Sequence, residues 1–264
     1  MNLGPPINVS PLFPAEQTRL LTALHDLDAT QWKAPTICTG WTVHDLTAHI
    51  LGDHLGRLSG ARDSYRTSGP LKNEPFPDFI HRINQEWVVA TRRLSPTVLL
   101  DLLTDASKQI VEFWRTADPD ATSIPVSWAG PDPAPMWLDM ARDYTEYWVH
   151  QQQIRAAVGM PPLDDPAPVV DIFMRALPFT LRDSTADEVE YEVFGVGTWS
   201  CARGADGWTL RPGMAAKPAA TVRTDPDTFW RLCTRNIDRA TAQVVTEGDR
   251  AVAETMLTMV SIII

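Results

Sequence analysis

Helical periodicity dominates the first 160 residues of the chain and then stops, and this feature most constrains the fold. Apolar residues recur three and four positions apart in five segments. The segments are those that start near Pro14 and at Thr42 and those over 76–94, 97–116 and 136–158. Gly159 ends the last segment, and Pro161 prevents its continuation. Long helices joined by loops are typical of an antiparallel bundle, which we predict over residues 1–160.

A different pattern follows the proline- and aspartate-rich segment MPPLDDPAPVV, which we take as a domain boundary. Residues 168–182 predict one more helix. Short alternating runs bounded by glycine then predict an antiparallel sheet from EVEYEVF, GVGTWSCAR, DGWTLRPG and AATVRTD. Helical pattern returns in DPDTFWRLCTR and GDRAVAETMLTMV, and the final SIII is expected to end the last helix. Residues 161–264 are therefore predicted to form a smaller α+β domain.

The composition indicates a folded protein and argues against two classes of partner. Hydrophobic residues make up 44% of the chain, which is enough to fill a core. Basic and acidic residues number 13 and 18 up to residue 160, and 10 and 15 after it. Neither part is therefore a basic module, and we expect no nucleic-acid binding. No stretch approaches the roughly 20 apolar residues of a membrane span, so no membrane partner is expected.

The three cysteines, Cys38, Cys201 and Cys233, are widely spaced and form no CxxC motif. This argues against a thiolate zinc knuckle and a disulfide framework. The N-terminal segment also lacks the basic start and apolar core of a signal peptide, so a cytoplasmic location is expected. Cys38 precedes a predicted helix start, where a thiol can be reactive, but a small packing residue is the simpler interpretation.

The longest predicted helix, which contains the segment TEYWVHQQQIR, carries a regular row of polar residues. The members of one stripe are Asp143, Glu146, His150 and Gln153. Glu146 and His150, four positions apart, can bind one metal ion from a single helix. An ordinary surface contact explains the same spacing, so this motif alone is weak evidence for a metal.

The segment CTGWTVHDLTAHILGDHLGRL adds three histidines to the candidates. His54 falls near the middle of the apolar arc of this helix, His44 lies at one edge, and His49 lies just beyond the other. A histidine within an apolar arc is commonly a core residue with a hydrogen-bond partner. Helical geometry does not choose among the three. Trp41 is expected either to pack ahead of the helix as a hydrophobic staple or to line a pocket.

Taken together, GWTVHDLTAHI and TEYWVHQQQIRAAVGMPPL resemble the mycothiol-dependent maleylpyruvate isomerase family, within the DinB-like superfamily. The family typically shows Gly-Trp-Thr-Val, then a polar pair, and then a histidine at the position of His49. Roughly a hundred residues later it shows Glu-x-x-x-His, Ile-Arg and Ala-x-Gly-x-Pro. The resemblance covers most of the chain. It implies a mixed fold, in which a DinB-like four-helix bundle precedes a smaller α+β, sterol-carrier-like domain with an antiparallel sheet.

The resemblance also implies a metal centre held by His49, Glu146 and His150. Two imidazoles and one carboxylate leave a coordination position open, which is typical of a catalytic zinc site, and nickel is the alternative. Mycothiol is the implied co-substrate, and its thiolate would attack a small electrophile. The implied function is isomerisation by addition and elimination, or a thiol S-transfer in which the thiol stays attached.

Two arginines are candidates for holding anionic groups. Arg155, near the end of the same helix, can bind a carboxylate of the co-substrate, although a surface salt bridge is the simpler interpretation. The resemblance also implies an arginine of the second domain. Arg235 is our candidate for this catalytic role, with Arg223 and Arg231 as alternatives. Gln153 departs from the family, in which aspartate is frequent at this position. Glutamine accepts a hydrogen bond but brings no charge.

Two other functions stay open at this stage. The second domain would suit a non-catalytic carrier of a lipid or another small molecule, and Gln153 would fit a metal-binding stress protein whose chemistry has decayed. For the enzyme, the expected partners are a small thiol and a small electrophile. A monomer and a homodimer are both compatible with the sequence.

Overall fold

The computed structural model describes residues 1–66, 69–130 and 132–261. Its helices are α1 (Phe13–His25), α2 (Val43–Arg57), α3 (Phe76–Thr91), α4 (Pro96–Thr116), α5 (Met136–Ala157), α6 (Ala167–Met174), α7 (Leu177–Thr180), α8 (Pro226–Cys233) and α9 (Arg250–Met256). Its strands are β1 (Thr122–Pro125), β2 (Pro133–Pro135), β3 (Glu188–Val193), β4 (Gly197–Gly204), β5 (Gly207–Pro212), β6 (Ala220–Thr224) and β7 (Val244–Gly248). The predicted mixed fold, with helices first and a sheet near the C-terminus, is confirmed.

The described residues group into two compact units, and the division falls within α5. The helical unit comprises Val9–Asp118 and Glu146–Leu163. The sheet unit comprises Met1–Asn8, Pro119–Thr145 and the described part of Asp164–Ile264. The predicted domain boundary between residues 160 and 161 stays a prediction.

The helical unit is a bundle in which α2 is central to the packing. Helix α2 packs against both α3 and α4, and α4 also packs against α1. Close packing of α2 on α3 depends on Gly52, because a Cβ atom there would lie 2.6 Å from Cδ1 of Trp87. The indole of Trp87 also donates a hydrogen bond to the carbonyl of Ala48 at 2.7 Å. These contacts hold the helix that carries His49.

The start of α2 is set by local hydrogen bonds. The side chain of Thr42 accepts a hydrogen bond from the amide of Asp45, whose carboxylate accepts one from the amide of Thr42 at 3.1 Å. This capping box satisfies donors that the first helical turn leaves open. Arg92 holds the same carboxylate at 2.9 Å, which ties the start of α2 to the end of α3.

Helix α5 is buried on almost every face, whereas the sequence predicted an apolar stripe beside a polar one. Trp148 and Ile154 are buried, but so are the polar side chains of Thr145 and Gln151, which are fully inaccessible. A helix surrounded by other elements keeps its polar residues only where they have a structural or chemical use. This burial brings the polar row of α5 into the interior.

The sheet of the second unit has the order β5-β4-β3-β6-β7. The pairs β5–β4, β4–β3 and β6–β7 are antiparallel, but β3 and β6 run parallel. The sheet is therefore mixed and not antiparallel throughout. Alternation in a sequence indicates which residues form a strand, but strand order depends on where the chain re-enters the sheet after β5.

Several element boundaries differ from the sequence predictions. Strands β1 and β2 lie in a segment predicted as a loop, and β7 was not predicted because almost all of it is exposed and shows no apolar alternation. The helix predicted over 168–182 is divided into α6 and α7. The last helix ends at Met256, before SIII, and residues 262–264 lie outside the described part of the chain. Among the described residues, no helix combines the length and apolar character needed to cross a bilayer.

Candidate metal centre

His49, Glu146 and His150 meet in the helical unit, although His49 is on α2 and the other two are on α5. One donor atom of each residue lies within 4.8 Å of the donors of the other two. Nε2 of His150 is 3.4 Å from Oε2 of Glu146, and the two imidazole rings are edge-to-face with centroids 4.8 Å apart. Zinc holds its donors at about 2.0–2.2 Å, so three groups this close can converge on one ion.

The two histidines of this group are buried, whereas the carboxylate is partly accessible. His49 and His150 are 7% and 6% exposed, and Glu146 has an intermediate exposure. Within the described residues, the buried Nε2 of His150 makes no hydrogen bond. The contact of Nε2 with Oε2 of Glu146, at 3.4 Å, is too long for a good hydrogen bond, and a cation bound between the two atoms would satisfy both. The donor set and this long contact fit a divalent metal.

Two further side chains surround His49. Oδ2 of Asp53, one turn later on α2, lies 3.4 Å from Nε2 of His49. The ring of Trp41 lies 5.1 Å from the imidazole ring, centroid to centroid, and its indole donates to Oε1 of Gln85 at 2.8 Å. Trp41 therefore lies against His49, and its predicted role in lining a pocket stays a prediction.

Gln153 and Cys38 lie on the other side of His150. Oε1 of Gln153 is 2.8 Å from Nδ1 of His150, and the Cys38 thiol donates to the same oxygen at 3.3 Å. The interpretation of Cys38 as a mere packing residue was therefore incomplete. No spacing rule connects residue 38 to a helix more than a hundred residues later, and its only signal was its place just before α2.

The two imidazoles of the centre have opposite electrostatic surroundings in the metal-free protein. Burial lowers the pKa of His49 well below its usual value, and the nearby His150 adds to this effect. Burial also acts to lower the pKa of His150, but contacts with Cys38 and Glu146 outweigh it and raise this pKa well above the usual value. A cation would therefore compete with a proton at His150 but not at His49.

Comparison with known proteins identifies the family of the chain. The model of the mycothiol maleylpyruvate isomerase N-terminal domain matches residues 13–155. The chain belongs to the mycothiol maleylpyruvate isomerase family. This match includes α1 to α4 and nearly all of α5, and it confirms the family predicted from the two motifs.

Solved structures of the isomerases extend the likeness over both units. A mycothiol-dependent maleylpyruvate isomerase has a TM-score of 0.54 and 13% sequence identity, over 84% of this chain and 86% of that chain. A mutant of a mycothiol-dependent maleylpyruvate isomerase has a TM-score of 0.51 at the same identity and coverage. At this identity the likeness establishes the fold alone. No curated protein matched the chain.

Arg155 lies in the last turn of α5, in the helical unit. Its Nη1 donates a hydrogen bond to the carbonyl of Pro161 at 3.1 Å, just beyond the end of the helix. Within the described residues, its buried Nε has no hydrogen-bond partner. The residue is half-buried, and its predicted role in binding the co-substrate stays a prediction.

Arg235 lies in the sheet unit, directly after α8 and its capping residue Thr234. It is exposed and has a left-handed backbone, with φ of 55°. The amide of Asn236 donates to the carbonyl of Arg231 at 2.8 Å, a hydrogen bond that closes the helix end. A residue with a Cβ atom is strained in this conformation, and glycine is the usual choice here. Its predicted catalytic role stays a prediction.

This backbone strain predicts a change in stability when Arg235 is replaced, whether or not the residue acts in the reaction. Replacing Arg235 with glycine is expected to raise the free energy of unfolding by about 0.5–1 kcal/mol, because the left-handed cost exceeds the entropy that glycine adds to the unfolded chain. Urea denaturation measures this change. Arg235→Ala is the control, since it removes the guanidinium but keeps the Cβ atom. If Arg235 acts in the reaction, both variants lose activity, and only the glycine variant gains stability.

Proposed function

We propose that the chain is a metal-dependent and mycothiol-dependent isomerase or thiol S-transferase. The observation that carries the proposal is the convergence of His49, Glu146 and His150 from two separate helices in a chain of this family. Zinc is the metal we favour, with nickel as the alternative. The proposal includes a small electrophile as second substrate, a cytoplasmic location and a monomer or homodimer.

The charges of the three side chains suit an anionic sulfur ligand. Two neutral imidazoles and one carboxylate leave a net charge of about +1 around a divalent ion. A divalent cation, when bound, supplies a positive charge that lowers the pKa of an incoming thiol towards neutrality. Glu146 is the accessible member of the set, so its side of the centre is where a co-substrate can approach. Trp41 covers His49 and keeps water from part of this region.

A residue outside the donor set can complete the chemistry. Asp53, about a third of whose side chain is exposed, brings a second carboxylate to within 3.4 Å of His49. We propose that it receives the proton that a thiol loses on becoming a thiolate. Arg155 and Arg235 are proposed to hold anionic groups of the co-substrate and the electrophile, respectively.

The direct test is an activity assay with the zinc-loaded protein, mycothiol and maleylpyruvate. We expect isomerisation of the cis double bond that depends on both the metal and mycothiol. A panel of small electrophiles, assayed for loss of the free thiol, separates an S-transferase from an isomerase. Glutathione replaces mycothiol as the matched control thiol.

Two outcomes would contradict the proposal. If mycothiol neither binds nor reacts with any electrophile, and fatty ligands bind instead, the protein is a carrier. If the metal binds normally but no thiol does, the protein is a metal-binding protein without this chemistry.

A further inference from the structure

Two hydrogen-bond donors converge on a single atom beside the metal centre. Oε1 of Gln153 faces Nδ1 of His150 at 2.8 Å and the thiol of Cys38 at 3.3 Å. Gln153 is 3% exposed and Cys38 is 9% exposed, so water competes little for these positions. The amide oxygen of Gln153, and not its nitrogen, faces the imidazole, and because this oxygen can only accept, Nδ1 and the thiol are the donors.

The orientation of this amide decides which nitrogen of His150 has a free lone pair. With the oxygen facing Nδ1, that nitrogen carries the hydrogen, and the lone pair of the neutral ring is on Nε2. Nε2 is the atom that lies 3.4 Å from Glu146 and lacks a hydrogen bond. With the amide rotated by a half turn, its NH2 group would favour the opposite tautomer. Nε2 would then carry a hydrogen towards Glu146, and it would offer no lone pair to a cation.

We propose that Cys38 and Gln153 are positioning residues for His150, in which the Cys38 thiol selects the amide orientation that leaves Nε2 free for a metal. This inference rests on the metal-binding part of the proposed function. A carboxylate at position 153 would need no such help, because both of its oxygens are acceptors. Glutamine has one acceptor end and one donor end, and the Cys38 thiol is a donor that favours the acceptor end against the imidazole. In this role the thiol acts as a hydrogen-bond donor and is neither a metal ligand nor a nucleophile.

A double-mutant cycle tests the role of the thiol through metal affinity. The Zn²⁺ dissociation constant is measured by chelator competition for the wild type, Cys38→Ala, Gln153→Glu and the double variant. We expect Cys38→Ala to weaken Zn²⁺ binding by about 10-fold, as is typical when the outer partner of a ligand is lost. In the Gln153→Glu background the same change should have little effect, since a carboxylate cannot present a donor to Nδ1.

Two controls separate this role from packing. Cys38→Ser keeps a donor at the same position and should retain affinity within about 3-fold of the wild type, well inside the loss expected for an outer partner. Cys201→Ala removes another buried thiol, on β4 in the sheet unit, and should leave Zn²⁺ affinity unchanged. Thermal unfolding of each variant shows that it is folded.

The outcomes distinguish this inference from the function on which it rests. If Cys38→Ala weakens binding equally in both backgrounds, or in neither, the thiol does not orient Gln153 and the inference is wrong, whereas the metal centre stands. If the wild-type protein binds no divalent ion, both the metal centre and the inference fail. A loss confined to the Gln153 background and rescued by Cys38→Ser supports it.

Discussion

Replacing His150 with alanine is expected to lower Zn²⁺ affinity by about 100-fold or more. Zinc bound by several protein ligands gains about 10–16 kcal/mol, so the loss of one ligand costs on the order of 3 kcal/mol. The change removes one of the three converging donors and leaves Glu146 without the imidazole that lies 3.4 Å away. Metal analysis of the purified protein should find close to one ion per chain before the change and almost none after it.

A matched histidine elsewhere on the bundle shows whether this effect is specific. His81 is exposed on α3 and is not part of the three-residue group. His81→Ala should therefore bind Zn²⁺ like the wild type. Because His150→Ala also opens a cavity, its fold is checked by circular dichroism. An ion that survives in folded His150→Ala would show that the ligands have been assigned wrongly.

Acid is expected to destabilise the protein through His54, which lies in the core of the bundle on α2. Its Nε2 is 3.1 Å from Oε1 of Gln17, which also accepts a hydrogen bond from Ser107 at 2.8 Å, and its ring lies 4.6 Å from that of Tyr147. The side chain is fully inaccessible. Burial lowers the pKa of His54 to about 3, from the usual value of 6.5. The folded protein therefore keeps this histidine neutral where the unfolded chain takes up a proton.

The sign of the pH effect follows from this difference. Above pH 6.5 neither state binds the proton, so His54 contributes no pH dependence. Below it the unfolded state gains the proton first, and stability falls as pH falls until the folded-state pKa near 3 is reached. The free energy of unfolding then changes by up to about 1.4 kcal/mol per pH unit, and by pH 5 it has fallen by about 2 kcal/mol.

Urea denaturation of the metal-free protein between pH 7 and pH 4 measures this loss. His54→Gln keeps a polar side chain that does not titrate. The part of the pH dependence of the unfolding free energy that is due to His54 should therefore disappear, even if the variant is less stable at every pH. His25→Gln changes an exposed histidine and should keep the wild-type slope. Equal slopes for the wild type and His54→Gln would show that His54 is not the group that titrates.

Local patterns were sufficient for the five helices of the first 160 residues and for most of their ends. Thr42 and Asp45 form the predicted capping box, and Gly159 has the left-handed backbone, with φ of 71°, expected of a glycine that terminates a helix. These features depend on residues within one or two turns, so the sequence displays them directly. For His54, the sequence left a core histidine with a hydrogen-bond partner as one open interpretation, and the structure shows this arrangement.

The candidate centre required more than local pattern. Helical geometry left His44, His49 and His54 as equal candidates, and only the resemblance to a family singled out His49. In the structure the three have separate surroundings. His44 contacts the carbonyl of Leu94 at 3.0 Å, His54 contacts Gln17, and His49 faces His150.

The periods of the sequence, its capping residues and its two motifs were enough to predict the helical bundle, the family and the three candidate ligands. The tertiary structure alone decided that Cys38 reaches Gln153, that β3 and β6 run parallel, and that α5 is buried on nearly all sides. The physical reason is that periodicity shows which face of a single helix or strand is apolar. Which distant side chains share a hydrogen bond depends on how the elements pack, and no local spacing encodes that.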